Sequence, residues 1–233
     1  MLDTADARGS VSVFQDQDEI CAETHTGDLD YSSWLLPAVH RALSTSSLSL
    51  SQLHGYAVCA GPGSFTGLRV GLTTVKAWAE AYRRPIASVS RLEALTLAQP
   101  EVQEQFVAAF MDARRDQVFA ALYERSGDHF ALRGQESVMA LPAFVTRVVE
   151  ESAGGTVRWV SPDIGLLESW PQWQSMAGPR HAAVGVAPPF AQQLGRLAFR
   201  KFARKETTDA LSLDAHYVRR SDAEVFWKGN SPR

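Results

Sequence analysis

Gly61-Pro-Gly-Ser-Phe-Thr-Gly-Leu-Arg-Val-Gly71 lies between a short apolar run, residues 56–60, and a long amphipathic run, residues 68–84. An apolar run, a glycine-rich turn and a helical pattern in this order predict a strand, a tight loop and a helix. Strands that alternate with helices in this way are typical of α/β folds.

The glycine loop is defined here by Gly61, Gly63, Ser64, Thr66 and Gly67. Glycines permit backbone angles and close approaches that a Cβ atom forbids, and Ser64 or Thr66 can cap the following helix. Free N–H groups at a helix N-terminus favour an anion, so phosphate contact is one interpretation. The spacing nevertheless fits neither a Walker loop, a dinucleotide fingerprint nor a nucleophile elbow. We therefore favour a structural strand-to-helix turn.

The helix predicted over residues 68–84 is apolar on two sides. One apolar stripe suffices for packing on a sheet, so the second stripe needs another partner. That partner is either the helix predicted over residues 34–43 or another subunit. We favour another subunit, because Trp78 is a typical interface anchor and glycines four residues apart allow another backbone to come close. The predicted partner interface consists of Leu36, Val39, Leu43, Val70, Thr74, Ala77 and Trp78.

An ordered series of motifs resembles the bacterial TsaB family, formerly called YeaZ. Besides the glycine loop, the series comprises Leu2-Asp-Thr, Ser33-Trp-Leu-Leu-Pro37, Ser88-Val-Ser-Arg-Leu-Glu-Ala94, Met111-Asp-Ala-Arg-Arg115 and Tyr217-Val-Arg-Arg-Ser-Asp-Ala-Glu224. The resemblance covers most of the chain and includes the helices that form the dimer surface in TsaB-like proteins.

Leu2-Asp3 and Met111-Asp112 each begin the same pattern: an apolar residue, an aspartate, a polar turn and an apolar strand. The repeat predicts two halves that open with a hairpin and continue with alternating strands and helices. Such a duplication resembles the actin/Hsp70/sugar-kinase (ASKHA) fold, an α/β class with two similar βββαβα lobes, which the TsaB resemblance also implies.

Pro100 is the predicted boundary between two domains. Residues 1–100 would form the N-terminal ASKHA lobe with the glycine loop and the interface helices. Residues 101–233 would form the C-terminal ASKHA lobe with a basic helix and an extended tail. In this fold the aspartate of the first hairpin faces the nucleotide phosphates, so the resemblance implies a set of vestigial phosphate-facing residues: Asp3, Thr4 and Asp112. The first hairpin is expected to be weak, because only two residues precede Asp3.

No catalytic or metal-binding constellation is recognisable in the sequence. The six histidines are never three to five residues apart, so no helix can present two imidazoles to one metal. Asp3 and Asp112 could hold Mg²⁺ and phosphate together, which leaves a Mg-dependent nucleotide-binding phosphotransferase or hydrolase as an alternative. We favour the simpler role of aspartate, which is to cap its own turn.

A basic helix is predicted over residues 189–205. Its cations and the aromatic residues between them are Arg196, Phe199, Arg200, Lys201, Phe202, Arg204 and Lys205. A basic helix with aromatics can bind RNA phosphates, which would make the chain a stand-alone RNA-binding module. More often such a pattern is a solvated face above a buried apolar stripe, and we favour that interpretation.

Length, charge and cysteine content are those of an ordinary globular protein. The 233 residues are 45% hydrophobic, so a buried core is expected. The net charge of −3 gives no reason to expect binding to nucleic acid or to an anionic membrane. The two cysteines give no reason to expect a disulfide framework or a Cys-rich metal site. No apolar run approaches the ~18 residues of a membrane span, and the N-terminus lacks a signal-peptide pattern. We therefore expect a cytoplasmic protein.

The TsaB resemblance implies a non-catalytic scaffold subunit. Such a subunit forms a heterodimer with the catalytic paralogue TsaD, works with the ATPase TsaE, meets tRNA indirectly through the complex and is a homodimer when alone. The complex transfers a threonylcarbamoyl group to the adenosine next to the anticodon. No cofactor is implied beyond weak ATP or ADP binding at a subunit interface.

Overall fold

A computed structural model describes residues 1–27, 29–98, 103–127, 129–176 and 180–218. The strands are β1 (Leu2–Asp3), β2 (Ser10–Gln15), β3 (Asp18–Thr24), β4 (Tyr56–Gly61), β5 (Ile86–Ser90), β6 (Phe106–Asp112), β7 (Gln117–Ser126), β8 (His129–Ala140), β9 (Val157–Ser161) and β10 (His181–Gly185). The helices are α1 (Tyr31–Thr45), α2 (Phe65–Tyr82), α3 (Arg91–Leu95), α4 (Leu141–Ser152), α5 (Gly165–Glu168), α6 (Trp173–Met176) and α7 (Ala191–Arg204).

The first sheet has the strand order β3-β2-β1-β4-β5. The first three strands are antiparallel, and β4 and β5 join in parallel. β1 spans two residues, yet it lies at the centre of the sheet, with Leu2 opposite both Val11 and Val58. The N-terminal amine of Met1 donates a hydrogen bond to the Ser12 carbonyl at 2.7 Å. The short strand is therefore held from both sides.

The second sheet repeats this topology with the strand order β10-β9-β6-β7-β8. β6, β7 and β8 are antiparallel in chain order, and β9 and β10 are parallel to β6. The predicted duplication and the ASKHA class are thus confirmed, and each half has one strand more than the βββαβα unit. β8 is absent from the sequence prediction because residues 131–135 are all exposed, so no apolar alternation marks them.

Helices cover both faces of the first sheet. α1 and α2 share one core cluster with Tyr56 and Val58, whereas α3 and α7 share another with Ala57. Successive strand residues point to opposite faces, so the two helix pairs lie on opposite sides of the sheet. The basic helix predicted for the second half therefore packs on the first sheet. Gly195 makes this possible, because a Cβ atom there would lie 2.0 Å from the Phe14 ring.

Among the remaining elements, the short helices α5 and α6 are absent from the sequence prediction, and other elements differ at their ends. α1 begins at Tyr31, three residues before the predicted start of this helix, and Asp30 is its N-cap. The proposed boundary at Pro100 and most of the predicted tail, residues 219–228, lie outside the described residues, so the division into two domains stays a prediction. None of the helices that the structure describes has the length and apolarity needed to cross a membrane.

Candidate functional site

The glycine loop joins β4 to α2, as predicted. Ser64 is the N-cap of α2, and its hydroxyl accepts a hydrogen bond from the Gly67 N–H at 3.3 Å. Thr66, the other candidate cap, lies inside the first turn of the helix. Gly61 has a φ of 132°, a conformation that side-chain-bearing residues rarely adopt. The loop therefore takes the strand-to-helix form that its sequence predicts.

Three glycines of α2 and its entry make room for the turn after β1. A Cβ atom would lie 2.2 Å from the Ala5 carbonyl oxygen at Gly63, and 2.0 Å from the Thr4 carbonyl oxygen at Gly67. At Gly71 it would lie 2.4 Å from the Thr4 hydroxyl. The four-residue spacing thus serves a close backbone approach, as proposed, but within the chain itself.

Hydrogen bonds fasten the hairpin turn to this helix. The Thr4 hydroxyl donates to the Gly67 carbonyl at 2.7 Å, and the Ser64 N–H donates to the Ala5 carbonyl at 2.7 Å. The Ser64 N–H is one of the free amides that an anion at this helix start would use. The turn of the first hairpin therefore occupies part of the site in which a phosphate would bind.

Asp3 and Thr4 are not among the residues that line the cleft between the two hairpin turns. Both residues are completely buried. The Asp3 carboxylate lies 3.5 Å from Nε of Arg91, a guanidinium that is itself buried, and accepts a hydrogen bond from the Ala5 N–H at 3.0 Å. The expectation that these two residues face a phosphate is wrong. The glycines allow the hairpin turn to pack closely against α2, and the positive charge of Arg91 pairs with the Asp3 carboxylate inside the protein.

Arg91 also binds Asp6, at 3.2 Å from its terminal nitrogen. Burial by itself would raise the pKa of Asp6, but the charge and hydrogen bond of Arg91 and the Ala7 N–H outweigh it, so that this pKa lies below its usual value. Burial likewise works to lower the pKa of Arg91, while Asp3 and Asp6 reverse the effect and raise it. Asp6 and Arg91 therefore each stabilise the charged form of the other.

An open cleft of about 490 Å³ lies between the turns of the two hairpins. Among its lining residues are the charged side chains Asp6, Arg8, Arg91, Asp112, Arg114, Arg115 and Asp163. The described tail closes one side of the cleft: the Tyr217 ring packs on Phe65 at 4.9 Å, and its hydroxyl accepts a hydrogen bond from Arg69 at 3.2 Å. The cleft is thus polar, and its arginines suit an anion better than a cation.

Asp112 is the one vestigial residue that lines this cleft. Its carboxylate accepts a hydrogen bond from the Arg114 N–H at 2.7 Å and pairs with the Arg114 guanidinium at 3.3 Å. The Asp112 N–H donates to Asp163 at 2.8 Å. Within the described ranges, no group of three or more His, Cys, Asp or Glu residues is arranged to hold a metal ion. With Asp3 buried and Asp112 engaged in its own turn, these residues do not fit the Mg²⁺ site of the alternative enzyme.

The predicted partner interface is only partly available at the surface. Leu36 on α1 is 58% exposed, and Ala77 on α2 is exposed. Val39 is 6% exposed and belongs to the core cluster beneath both helices, so it is not an interface residue. Trp78 is half-buried, with its ring 5.7 Å from Tyr56.

Leu43, Val70 and Thr74 are half-buried as well. Leu43 and Val70 pack against the first core cluster, and the Thr74 hydroxyl donates back to the Val70 carbonyl at 2.8 Å. The α1–α2 face, defined here as Leu36, Leu43, Val70, Thr74, Ala77 and Trp78, is therefore partly apolar, and its role in contacting a partner stays a prediction.

Sequence reasoning missed Arg91 as the centre of the buried charge cluster. The local sequence marks Arg91 only as the first residue of α3, directly after β5 and the N-cap Ser90. The partners of Arg91 are more than eighty residues away in the sequence, so no spacing pattern reveals them.

Comparisons with known proteins extend over nearly the whole chain. A family model described as "TsaD: tRNA N6-adenosine threonylcarbamoyltransferase" matches residues 26–152. The tRNA threonylcarbamoyladenosine biosynthesis protein TsaB of Escherichia coli K12 is 29% identical, over 97% of this chain and 95% of its own length. Its Bacillus subtilis counterpart is 28% identical, over 82% of this chain and 81% of its own length. The solved structure of YeaZ from Pseudomonas aeruginosa has a TM-score of 0.72 at 27% identity, covering 93% of this chain and 97% of that one.

Proposed function

Because this chain belongs to the TsaB (YeaZ) members of the family described as TsaD, tRNA N6-adenosine threonylcarbamoyltransferase, we propose that it is a scaffold subunit in tRNA threonylcarbamoyladenosine biosynthesis. It pairs with a TsaD protein and holds that catalytic subunit in an active form. The complex then transfers the threonylcarbamoyl group to the adenosine next to the anticodon.

The observation that carries the non-catalytic role is the buried Asp3–Arg91 pair. A carboxylate that binds Mg²⁺ must present an oxygen to the metal and to its waters or phosphates, but Asp3 is completely buried and lies 3.5 Å from the Arg91 guanidinium. The glycine loop is likewise filled by the chain's own hairpin. Asp3 and the glycine loop, which would contact a nucleotide in an enzyme of this fold, are thus used for internal packing, and this supports a role in assembly.

The α1–α2 face is the surface through which we propose that the subunit pairs. Leu36 on α1 and Ala77 on α2 are exposed apolar residues, and these two helices pack against each other. A contiguous exposed apolar patch on a protein surface typically marks an interaction site, whereas single exposed apolar residues do not. The same face would make a homodimer when TsaD is absent. TsaE and tRNA would join through the assembled complex, in the cytoplasm, and ATP or ADP would bind weakly at most.

Coexpression with the TsaD protein of the same organism tests this function. We expect the two chains to elute as one complex, and we expect tRNA modification to require both. Leu36→Asp combined with Ala77→Asp should abolish co-elution and reduce modification to the level seen without this chain. Substitutions at exposed positions usually change stability by about 0.5 kcal/mol or less, so the variant should melt within about 2 °C of the parent per substitution.

Leu166→Asp is the matched control, because Leu166 is 42% exposed on α5, which packs on the second sheet's core cluster. This control should leave complex and activity intact. Modification of tRNA by TsaD alone at the full rate would contradict the proposed function. Co-elution of the double variant at the parental level would contradict the assignment of the α1–α2 face. Tight Mg·ATP binding by the isolated chain in calorimetry would favour the enzyme alternative.

A further inference from the structure

The helix α7 concentrates positive charge in a chain whose net charge is −3. It contains four basic residues and no acidic residue, and Lys205 follows as its C-cap. The basic residues are Arg196, Arg200, Lys201 and Arg204. A one-signed cluster on a single helix is the electrostatic pattern of a surface that binds nucleic acid.

Arg196, Arg200 and Arg204 form one row along α7, hereafter the arginine row. Residues four apart lie on the same side of a helix, and each step advances about 6 Å along its axis, so the row is roughly 12 Å long. Over that length one strand of a nucleic-acid duplex carries about four phosphates, at roughly 3.4 Å of axis for each. Leu194, Leu197 and Ala198 are buried beneath the helix, and the row lies on the other side. Arg196 and Arg204 are exposed, and Arg200 is half-buried.

No carboxylate lies within 4.0 Å of any arginine of the row in the part of the chain that the structure describes. Other arginines of the molecule are paired, for example Arg133 with Glu124 at 2.8 Å. Glu93 and Glu206 line a small surface pocket together with Arg200 and Arg204, beyond ion-pair distance. The helix dipole explains cations in the last turn of a helix, but Arg196 lies in the middle of α7.

The row also lies on the side of the first sheet opposite the α1–α2 face, because the two helix pairs share different core clusters. A partner seated on α1 and α2 therefore leaves α7 accessible. Neither aromatic residue of the basic helix is fully exposed for stacking on bases. Phe202 packs against Gly55, where an added Cβ atom would lie 2.5 Å from its ring, and Phe199 is half-buried.

We propose that the arginine row binds the phosphate backbone of the tRNA substrate. This inference rests on the proposed function and adds to it a direct contact between this subunit and RNA. Because the exposed side chains of the row are guanidinium groups and neither aromatic residue is fully exposed, the contact positions the tRNA without reading its sequence. Its strength must therefore fall steeply with salt.

The test measures the affinity of unmodified tRNA for the complex of this chain with the TsaD protein, by fluorescence anisotropy between 50 and 200 mM salt. Each phosphate contact contributes about 0.7–0.9 to the log–log salt slope. Arg196→Gln combined with Arg204→Gln should therefore reduce the slope by about 1.4–1.8. Over this fourfold salt range the affinity of the parent complex should fall about tenfold more than that of the variant.

Arg125→Gln combined with Arg133→Gln is the control, since it removes the same charge from β7 and β8 of the second sheet. Its slope should equal that of the parent. If the two double variants have equal slopes while the complex forms and modifies tRNA, the arginine row is not the RNA contact and the proposed function stands. Loss of co-elution in the row variant would identify α7 as a protein-docking face and overturn the inference. Failure of the parent chain to form or activate a complex would instead overturn the proposed function.

Discussion

Replacing Gly67 with alanine puts a methyl group into space that the first hairpin occupies. The added Cβ would lie 2.0 Å from the carbonyl oxygen of Thr4. That oxygen belongs to the backbone directly after β1, which is held between β2 and β4. The hairpin or α2 must therefore move, and the hydrogen bond from the Thr4 hydroxyl to the Gly67 carbonyl, at 2.7 Å, is disturbed with them.

The net effect follows from terms of opposite sign. Alanine in a helix interior is favoured over glycine by about 1 kcal/mol. Overpacking of a well-filled core costs about 1–3 kcal/mol, and a disturbed hydrogen bond costs about 1 kcal/mol. We expect Gly67→Ala to lower the free energy of unfolding by about 2 kcal/mol. For a chain of this length the melting temperature should fall by roughly 4–8 °C.

Thermal unfolding followed by circular dichroism measures the effect, with Gly165→Ala as the control. No atom lies within 4 Å of a Cβ at Gly165, so the control should be neutral or slightly stabilising. Gly71→Ala meets the hydroxyl of Thr4 at 2.4 Å instead of a backbone atom. Thr4→Ala should therefore restore part of the stability lost in Gly71→Ala, and none of that lost in Gly67→Ala. A Gly67→Ala protein that melts at or above the parental temperature would refute the close-approach explanation.

Two further predictions concern single side chains. The pKa of Asp6 is lower in the folded protein than its usual value, so its stabilising effect is present above the unfolded pKa of about 4 and is lost as the pH falls through the folded pKa. Asp6→Asn should reduce stability at neutral pH and flatten its decline in acid, and identical acid-unfolding profiles would contradict the Arg91–Asp6 interaction. Val39→Asp places a carboxylate in the core and should cost more than about 3 kcal/mol, whereas Leu36→Asp should cost about 0.5 kcal/mol or less. Urea unfolding compares the two, and equal losses would show that Val39 is not buried.

Several parts of the fold and site are predictable because their causes are local. The strand before Gly61, the turn and the helix capped by Ser64 follow from neighbouring residues, and so does the repeated hairpin that predicts two matching sheets. β8 is not predictable in this way, because both its edge position and its exposed residues remove the alternation that marks a half-buried strand.

The sequence by itself thus determined that glycines spaced four apart would let a backbone approach α2, and that the chain is an α/β protein with duplicated halves. Only the tertiary structure decided which backbone comes close, since the Thr4–Ala5 turn lies some sixty residues from its glycines. It also decided that Asp3 is buried against Arg91, that Val39 is core and that α7 covers the first sheet. Each of these outcomes depends on contacts between segments that are far apart in the chain. The spacing of residues along the sequence does not predict such contacts.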